Sequence, residues 1–397
     1  MKIVFLAPFG IRPKGTVIAR MLPLAAELQA LGHTVTIVAP PYTNPEDSGK
    51  VEVLRGVQLV NVRLPGGGKL LSTLLLTMRM FRAAQLEKPD LVHLFKPKGY
   101  GGLAAMLHIT LQRFRIRLPP LLVDTDDWEG KGGMNDLQSY SLAEKRLFAF
   151  QEQWLCRKAT GVTVASRALE NLTGNMGVAP ERICYLPNCV AEMPPGDGRR
   201  VRRKLGIAAE TPVVLLYTRF FEFGQERLYR IFAGIRQRVP NVRFLVVGKG
   251  RNQEEDLLVD ISRQMDFDDA LIMVGWLEPV DIPDYLAAAD VAIYPLDDTL
   301  INRAKCPAKL TELLVAGVPV VADRVGQALE YIADGISGVL CDPSNPKSMI
   351  EETVALLQEF ERRKRFAAEG KRNLLGRFNW RDAASMLDQF YRSVMNP

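Results

Sequence analysis

Short apolar runs rich in β-branched residues, each followed by a glycine- or proline-rich turn and a helical stretch, recur along this 397-residue chain. KIVFLAP comes first, followed by the loop FGIRPKG, a helical stretch over 17–31, Gly32, His33 and the strand TVTIVAP. Continuously apolar strands are strands buried on both faces. A strand–loop–helix–strand succession builds a parallel, doubly wound sheet. LVHLF (91–95), LLVDTDD (121–127) and GVTVAS (161–166) extend the series. The opening MKIVFLAPFG is read as strand and turn, because its apolar part is too short for a signal peptide and runs into Pro8, Gly10 and Pro13.

The series then breaks. AEMPPGDGRRVRRKLG (191–206) is rich in Pro, Gly and Arg and reads as a linker. After it the pattern restarts with PVVLLYT (212–218), the loop RFFEFGQ, a helix near 225–238 and RFLVVGKG (243–250). LIMVGW, VAIYPL, VPVVA and GVLCD follow as later strands. One core does not accommodate this length, whereas two domains of roughly 150–200 residues do. The expected fold is α/β, with two tandem Rossmann-like, doubly wound parallel-sheet domains facing a cleft. Residues 1–190 form the first and 207–375 the second, with the linker at 191–206. The segment 376–397 is a final helix free to cross back to the first domain. Ligands of such sheets bind at the carboxyl ends of the strands, and with two domains the natural site is the cleft.

Apolar residues make up 47% of the chain and charged residues 24%, the balance of a globular protein. No apolar run approaches the roughly 18–20 residues that cross a bilayer. The five cysteines are odd in number and include no C-x2-C pair, which argues against a zinc site or a disulfide framework and for thiols in a reducing cytoplasm. Up to residue 195, Lys and Arg number 23 against 16 Asp and Glu; beyond it they number 28 against 29. A basic first half suggests an anionic partner: a phosphorylated ligand, a membrane surface or a nucleic acid. No nucleic-acid-binding motif accompanies it. KLLSTLLLTMRMFR (69–82) and LHITLQRFRIRLPP (107–120) mix cations with apolar residues. They read either as basic helices for an anionic membrane interface or as core-facing helices with snorkelling arginines.

The stretch NRAKCPAKLTELLVAGVPVVA (302–322) carries the most chemistry. A helix beginning near Ala308 offers unpaired backbone N–H groups and a partial positive charge to an anion, and Pro307 suits its first position. Lys305 and Lys309 add charge, and Glu312 shares a face with Lys309. A phosphate chain at the helix start, with sugar hydroxyls reaching Glu312, accounts for the arrangement. A solvated Lys309–Glu312 pair worth a few tenths of a kcal/mol accounts for it as well.

Residues 275–340, GWLEPVDIPDYLAAADVAIYPL…KLTELLVAGVPVVADRVGQALEYIADGISGVL, resemble the donor-binding half of family-4-type GT-B glycosyltransferases (glycosyl transferases group 1). The likeness is densest there and moderate over the rest of 212–350. The first half shares only the MKI strand, the glycine turn and LxxxGHxVTIVAP. The resemblance implies that Glu312 holds the nucleotide ribose and that the amides of Leu310 and its neighbours hold the diphosphate. Trp276, in the Gly-Trp turn, joins the donor side. Three positions depart from the pattern. Ala304 stands where the family commonly has a glutamate, eight residues before Glu312. Arg219 is present, but its loop is one residue short and carries Phe223 before Gly224. Asp126 replaces a histidine. Lys305 and Lys309 can supply the cation of the missing lysine.

The resemblance further implies transfer of a hexose-type sugar from a nucleotide-sugar to a lipid, saccharide or other hydroxyl acceptor, with retention, in cell-envelope polysaccharide or glycolipid synthesis. Arg219 and Lys309 would steady the leaving diphosphate, with Asp126 and Asp127 contacting sugar hydroxyls. No cofactor beyond the co-substrate and no metal is expected. The rival is a non-catalytic relative that binds a sugar nucleotide or a partner.

DTDD (124–127) also has the shape of a metal-binding Asp-x-Asp or of a strand-end nucleophile. His93, with Lys96 and Lys98 of FKPKG, is a candidate acceptor contact or a structural group. Gly15 either lets backbone approach the donor phosphate or serves a tight turn. Gly248 and Gly250 flank Lys249 where a nucleotide can approach. His33 is expected to be structural, and His108 to sit in the core or at the surface.

Overall fold

The computed structural model describes residues 1–12 and 15–395; Pro13 and Lys14 of the first loop lie outside the described residues. The chain forms two compact units. Unit 1 comprises Met1–Cys189, Ala304–Cys306 and Trp380–Pro397, and unit 2 comprises Val190–Arg303 and Pro307–Asn379.

Unit 1 contains β1 (Lys2–Leu6), β2 (Thr34–Ala39), β3 (Val51–Leu54), β4 (Val57–Asn61), β5 (Leu91–Phe95), β6 (Leu121–Thr125), β7 (Gly161–Val164) and β8 (Ile183–Tyr185). They form one sheet in the order β3-β4-β2-β1-β5-β6-β7-β8, parallel except for the antiparallel β3–β4 edge. β5 and β6 are buried at every residue, His93, Asp124 and Thr125 included. The order of chain entry reverses between β1 and β5, so their carboxyl ends flank a crevice.

The helices Lys69–Leu86, Gly99–Arg113 and Leu142–Lys158 lie side by side. Each returns the chain from one parallel strand to the start of the next, so each begins at the sheet's carboxyl edge. The stretch 107–120 divides: His108 and Ile109 are buried, while Phe114 and Ile116, in the turn beyond, are exposed.

Unit 2 contains β9 (Val213–Tyr217), β10 (Arg243–Val247), β11 (Leu271–Gly275), β12 (Val291–Tyr294), β13 (Val320–Asp323) and β14 (Val339–Cys341). Their order is β11-β10-β9-β12-β13-β14, with every neighbour parallel. The crevice here opens between β9 and β12. Phe232 and Phe244 stack at 4.2 Å, and Phe267 stands edge-on to both.

The arginine-rich segment 191–206, read as a linker, contains the helix Gly198–Lys204. Asp197 caps it by accepting the Arg200 amide at 2.9 Å. Arg202 fastens it by donating to the Ala288 carbonyl and the Asp290 carboxylate. The last helix, Trp380–Met395, belongs to unit 1: Leu387 and Tyr391 are buried, and Asp388 lies 3.0 Å from His33. His108, also buried, engages Gln85 and the Pro119 carbonyl. All five cysteines are buried, and none is in a disulfide. Among the described residues no helix is long and apolar enough to cross a membrane.

Candidate functional site

In unit 2 the strand ends converge on one constellation. β9 closes with Tyr217, whose hydroxyl donates to the Glu312 carboxylate at 2.8 Å. The Lys309 ammonium sits 3.3 Å from the centroid of the same ring. Burial, then the negative charge of Glu312, push the Tyr217 phenol well above its ordinary range, while the Arg219 guanidinium pulls the other way. The phenol therefore stays protonated and remains a donor. Lys309 and Glu312 project from the helix Ala308–Val315, and Leu310 beside them is buried. Pro307 occupies the cap position before that helix, one place earlier than its sequence suggested, and its carbonyl accepts the Leu310 amide at 3.1 Å.

Two glycine-bearing loops flank this point. Gly248 follows β10 with φ of +133°, and a Cβ there would lie 1.9 Å from the Thr218 carbonyl oxygen. Only glycine lets the ends of β9 and β10 come this close. Trp276, after β11, is 59% exposed at the same edge. Arg219 is exposed beside Phe220, which is buried with φ of +67° and whose amide donates to the Thr218 hydroxyl. Phe223, which stands near the family's lysine, is buried against Phe220 in the core of unit 2. The shortened loop therefore spends its side chain on packing. A cavity of about 390 Å³ lies further along this edge, lined by Gly224, Arg227, Arg230, Asp297 and Ser344.

Unit 1 holds a dense charge network at its own carboxyl edge. Lys96, just past β5, is buried with φ of +52°. Its ammonium lies 2.9 Å from Asp126 and 3.8 Å from Glu129, and it donates to Asp127. Burial opposes that positive charge, but Asp126, Asp127 and Glu129 together outweigh it and raise the Lys96 pKa well above its ordinary value. Lys98 pairs with Glu129 at 2.8 Å and reaches Asn135. The Thr16 hydroxyl donates to Asp126 at 3.1 Å. Gly15 and Thr16 precede the helical stretch Val17–Ala30, and the Gly15 carbonyl accepts the Ala19 amide at 3.0 Å.

Asp124, fully buried, is held bidentately by Arg20 at 2.9 and 2.6 Å, and Arg20 also donates to Leu186 and Asn188. The DTDD carboxylates thus face Lys96, Thr16 and Arg20.

His93 has no exposed surface. Its ring nitrogens meet the Tyr391 hydroxyl at 2.7 Å and the Thr163 hydroxyl at 3.2 Å, and Phe5 and Phe95 pack around it. Burial, then Arg20, lower its pKa to about 3. A ring so enclosed meets no acceptor, and this departs from the contact expected of it. Its place is in a buried chain running from Tyr391 through Thr163 to Asp124 and Arg20.

The segment Ala304–Cys306 belongs to unit 1. The Ala304 carbonyl accepts from Ser166 at 2.6 Å, Asn188 donates to Cys306, and Lys305 is buried. Ala304 itself has no exposed surface. Lys305 therefore groups with unit 1, whereas Lys309 groups with unit 2.

Several partners escaped the sequence reading. Tyr217 offered one signal, an aromatic residue at a strand's carboxyl end. Arg20 offered another, a lone cation in the apolar run VIARMLPLAA. Glu152 offered none. It is buried and accepts the Glu129 amide, and burial, then Glu129, raise its pKa well above the usual carboxylic range.

Two sequence-family models match the chain: a glycosyl transferase 4-like domain over residues 15–189 and glycosyl transferases group 1 over residues 197–373. A D-inositol 3-phosphate glycosyltransferase of Segniliparus rotundus is 27% identical over 230 residues, 57% of this chain and 50% of the relative. The match thus spans about half of that relative's length. Sucrose-phosphate synthase of Thermosynechococcus elongatus superposes with a TM-score of 0.75 at 18% identity, covering 100% of this chain and 99% of that one. Anabaena HepE in complex with UDP superposes with a TM-score of 0.71 at 19% identity, covering 99% and 100%. At these identities the likeness is one of fold.

Proposed function

Since this chain belongs to the group 1 glycosyltransferases and has the GT-B fold, we propose that it transfers a hexose-type sugar from a nucleotide-sugar to a hydroxyl of a lipid, saccharide or other acceptor. The observation that carries this reading is the Tyr217–Glu312–Lys309 constellation at the crevice of unit 2. A carboxylate held by one hydroxyl still has lone pairs for a ribose diol. A cation and helix-start amides beside it suit a diphosphate. That Anabaena HepE is described in complex with UDP supports a nucleoside diphosphate as the ligand here.

In this reading Glu312 accepts from the ribose. Lys309, Arg219 and the helix-start amides before Leu310 take the diphosphate, the Leu310 amide being bonded to the Pro307 carbonyl; Gly248 lets backbone come close, and Trp276 borders the base. The bond between the anomeric carbon and the diphosphate oxygen breaks as the acceptor oxygen bonds that carbon. The acceptor's proton passes to the leaving phosphate oxygen, and configuration is retained. The charge that develops on the diphosphate is met by fixed donors and cations, and no metal takes part. Asp126 and Asp127 orient hydroxyls of sugar or acceptor, with Lys96 and Lys98 holding the carboxylates in place. The cytoplasm is the proposed location, at the inner face of a membrane, and the buried, unbridged cysteines suit it.

The test is thermal unfolding with UDP-, GDP- and ADP-sugars, followed by donor turnover with and without chelator. One nucleotide-sugar should raise the midpoint, since a ligand at about 100 times its Kd stabilises by about 2.7 kcal/mol. Its hydrolysis or transfer should persist in chelator. Absence of any shift removes the donor assignment, and activity lost in chelator and restored by Mn²⁺ or Mg²⁺ removes the metal-free mechanism. A nucleotide-sugar that binds but never turns over makes this a non-catalytic relative, the reading that Ala304, Phe223 and Asp126 favour.

A further inference from the structure

Six large apolar side chains stand exposed on two helices of unit 1 that both pack on the helix Gly99–Arg113: Leu70 (86%), Leu71 (54%), Leu74 (61%), Leu142 (74%), Leu147 (39%) and Phe150 (51%). The first three open the helix Lys69–Leu86 and the others lie on the helix Leu142–Lys158. Lys69 and Glu144 join the two helix starts by an ion pair at 3.0 Å. The inner side of the first helix is already used, with Leu76, Thr77, Met80 and Ala84 buried. The exposed leucines are therefore surplus to the core. Isolated exposed apolar residues are ordinary, but a contiguous group marks a surface that something covers.

Charge identifies the cover. The helix Lys69–Leu86 contains no acidic residue; its charges are Lys69, Arg79 and Arg82. The second helix adds exposed Arg146 near the ridge, while its Glu144 is taken up by Lys69 and its Lys145 lies 3.6 Å from Asp136. Leucines flanked by cations, on a helix too polar to span a bilayer, suit the headgroup layer of an anionic membrane.

Position gives the contact a purpose. Both helices begin at the carboxyl edge of the unit 1 sheet, where Lys96, Asp126 and Asp127 gather. Lys98 links the two regions: its ammonium pairs with Glu129 and lies 5.9 Å from the centroid of the Tyr140 ring, two residues before Leu142. The apolar ridge thus borders the carboxylates assigned above to hydroxyl recognition.

We propose that this ridge rests in an anionic lipid surface and that the acceptor hydroxyl belongs to a lipid, or to a sugar carried on one, drawn from that surface. The acceptor half of the inference rests on the glycosyltransferase reading; the bilayer contact does not.

The test uses the full chain with vesicles of phosphatidylcholine alone or with added phosphatidylglycerol, and the variant L70S/L71S/L74S. The wild type should sediment with the anionic vesicles about tenfold more strongly than with the neutral ones, and less as salt rises. The variant should lose about tenfold or more in partitioning. Its nucleotide-induced thermal shift should stay unchanged, because none of the three leucines is among the residues assigned to the donor. L142S/F150S provides a second, independently folded check. Failure of the wild type to bind anionic vesicles, or equal binding by both variants, overturns the proposal while leaving the donor assignment standing. So does a concentration-dependent dimer that the variants dissolve, since the ridge would then cover a second copy of the chain.

Discussion

The Tyr217 hydroxyl donates a 2.8 Å hydrogen bond to the Glu312 carboxylate across 95 residues of sequence. The bond joins the end of β9 to the first turns of the helix Ala308–Val315, and Lys309 packs on the same ring. One aromatic side chain thus orients both an acid and a base at the mouth of the crevice. Glu312→Ala should weaken nucleotide binding roughly 10- to 150-fold, the effect of losing a charge-assisted hydrogen bond of about 1.5–3 kcal/mol. The fold should survive, since alanine is the best helix former. Titration calorimetry decides it: a folded variant with unchanged affinity ends the ribose assignment.

Tyr217→Phe separates orientation from contact. The ring and its Lys309 partner remain, and only the hydroxyl goes. We expect about 1 kcal/mol of lost stability and an affinity loss well below that of Glu312→Ala. An equal loss would mean that the phenol itself meets the ligand.

Lys96→Met should be severely destabilising. It leaves Asp126, Asp127 and Glu129 clustered without their shared cation. Removing one partner from a buried ion pair costs about 3–5 kcal/mol. Asp127→Asn in the same chain should recover part of the loss, because one like charge is withdrawn. Urea midpoints of the two variants and the wild type measure it, and no recovery would mean that the cost lies in packing.

Acid should weaken unit 1 through His93. Its native pKa is lowered to about 3, against about 6.5 in an unfolded chain. Below about pH 6.5 the unfolded chain binds a proton that the native state refuses. Stability is therefore fully present above that pH and falls toward pH 3, by up to about 1.4 kcal/mol per pH unit. His33 and His108, both lowered chiefly by burial, act in the same sense. Glu129 and Glu152, raised by burial, act in the opposite one. The readout is accordingly a difference: between pH 7.5 and pH 5, His93→Gln should lose less stability than the wild type. Parallel losses would show that His93 does not carry the effect.

Gly248→Ala should be poorly tolerated despite adding one methyl group. The new Cβ would fall 1.9 Å from the Thr218 carbonyl oxygen at a φ of +133°. Both the sheet edge and the loop that carries Lys249 must shift, so thermal stability and nucleotide affinity should fall together. An alanine variant with wild-type values for both would show that the edge yields at no cost.

The chain's local chemistry determined its fold class. Continuous apolar strands such as IVFLA and PVVLLYT, each followed by a loop and a helical stretch, can bury both faces only in parallel sheets covered by helices, and that alternation is local information. The segment 302–322 likewise announced an anion-suited helix start, because its lysines, Pro307 and Glu312 lie within one or two turns of each other. What tertiary structure decided was which of those groups meet partners from elsewhere in the chain. Tyr217 reaches Glu312 only because β9 sits at the centre of its sheet, beside the helix start. Lys96 lies among three carboxylates because β5 and β6 are neighbours, and His93 is sealed off by Tyr391 from 298 residues away. Phe223 became core through contacts that no local pattern encodes, and Arg202 fastened the locally capped helix Gly198–Lys204 to Ala288 and Asp290. Hydrophobic periodicity is a property of consecutive residues, whereas hydrogen bonds and ion pairs between distant strand ends depend on strand order, which is fixed only when the whole sheet packs.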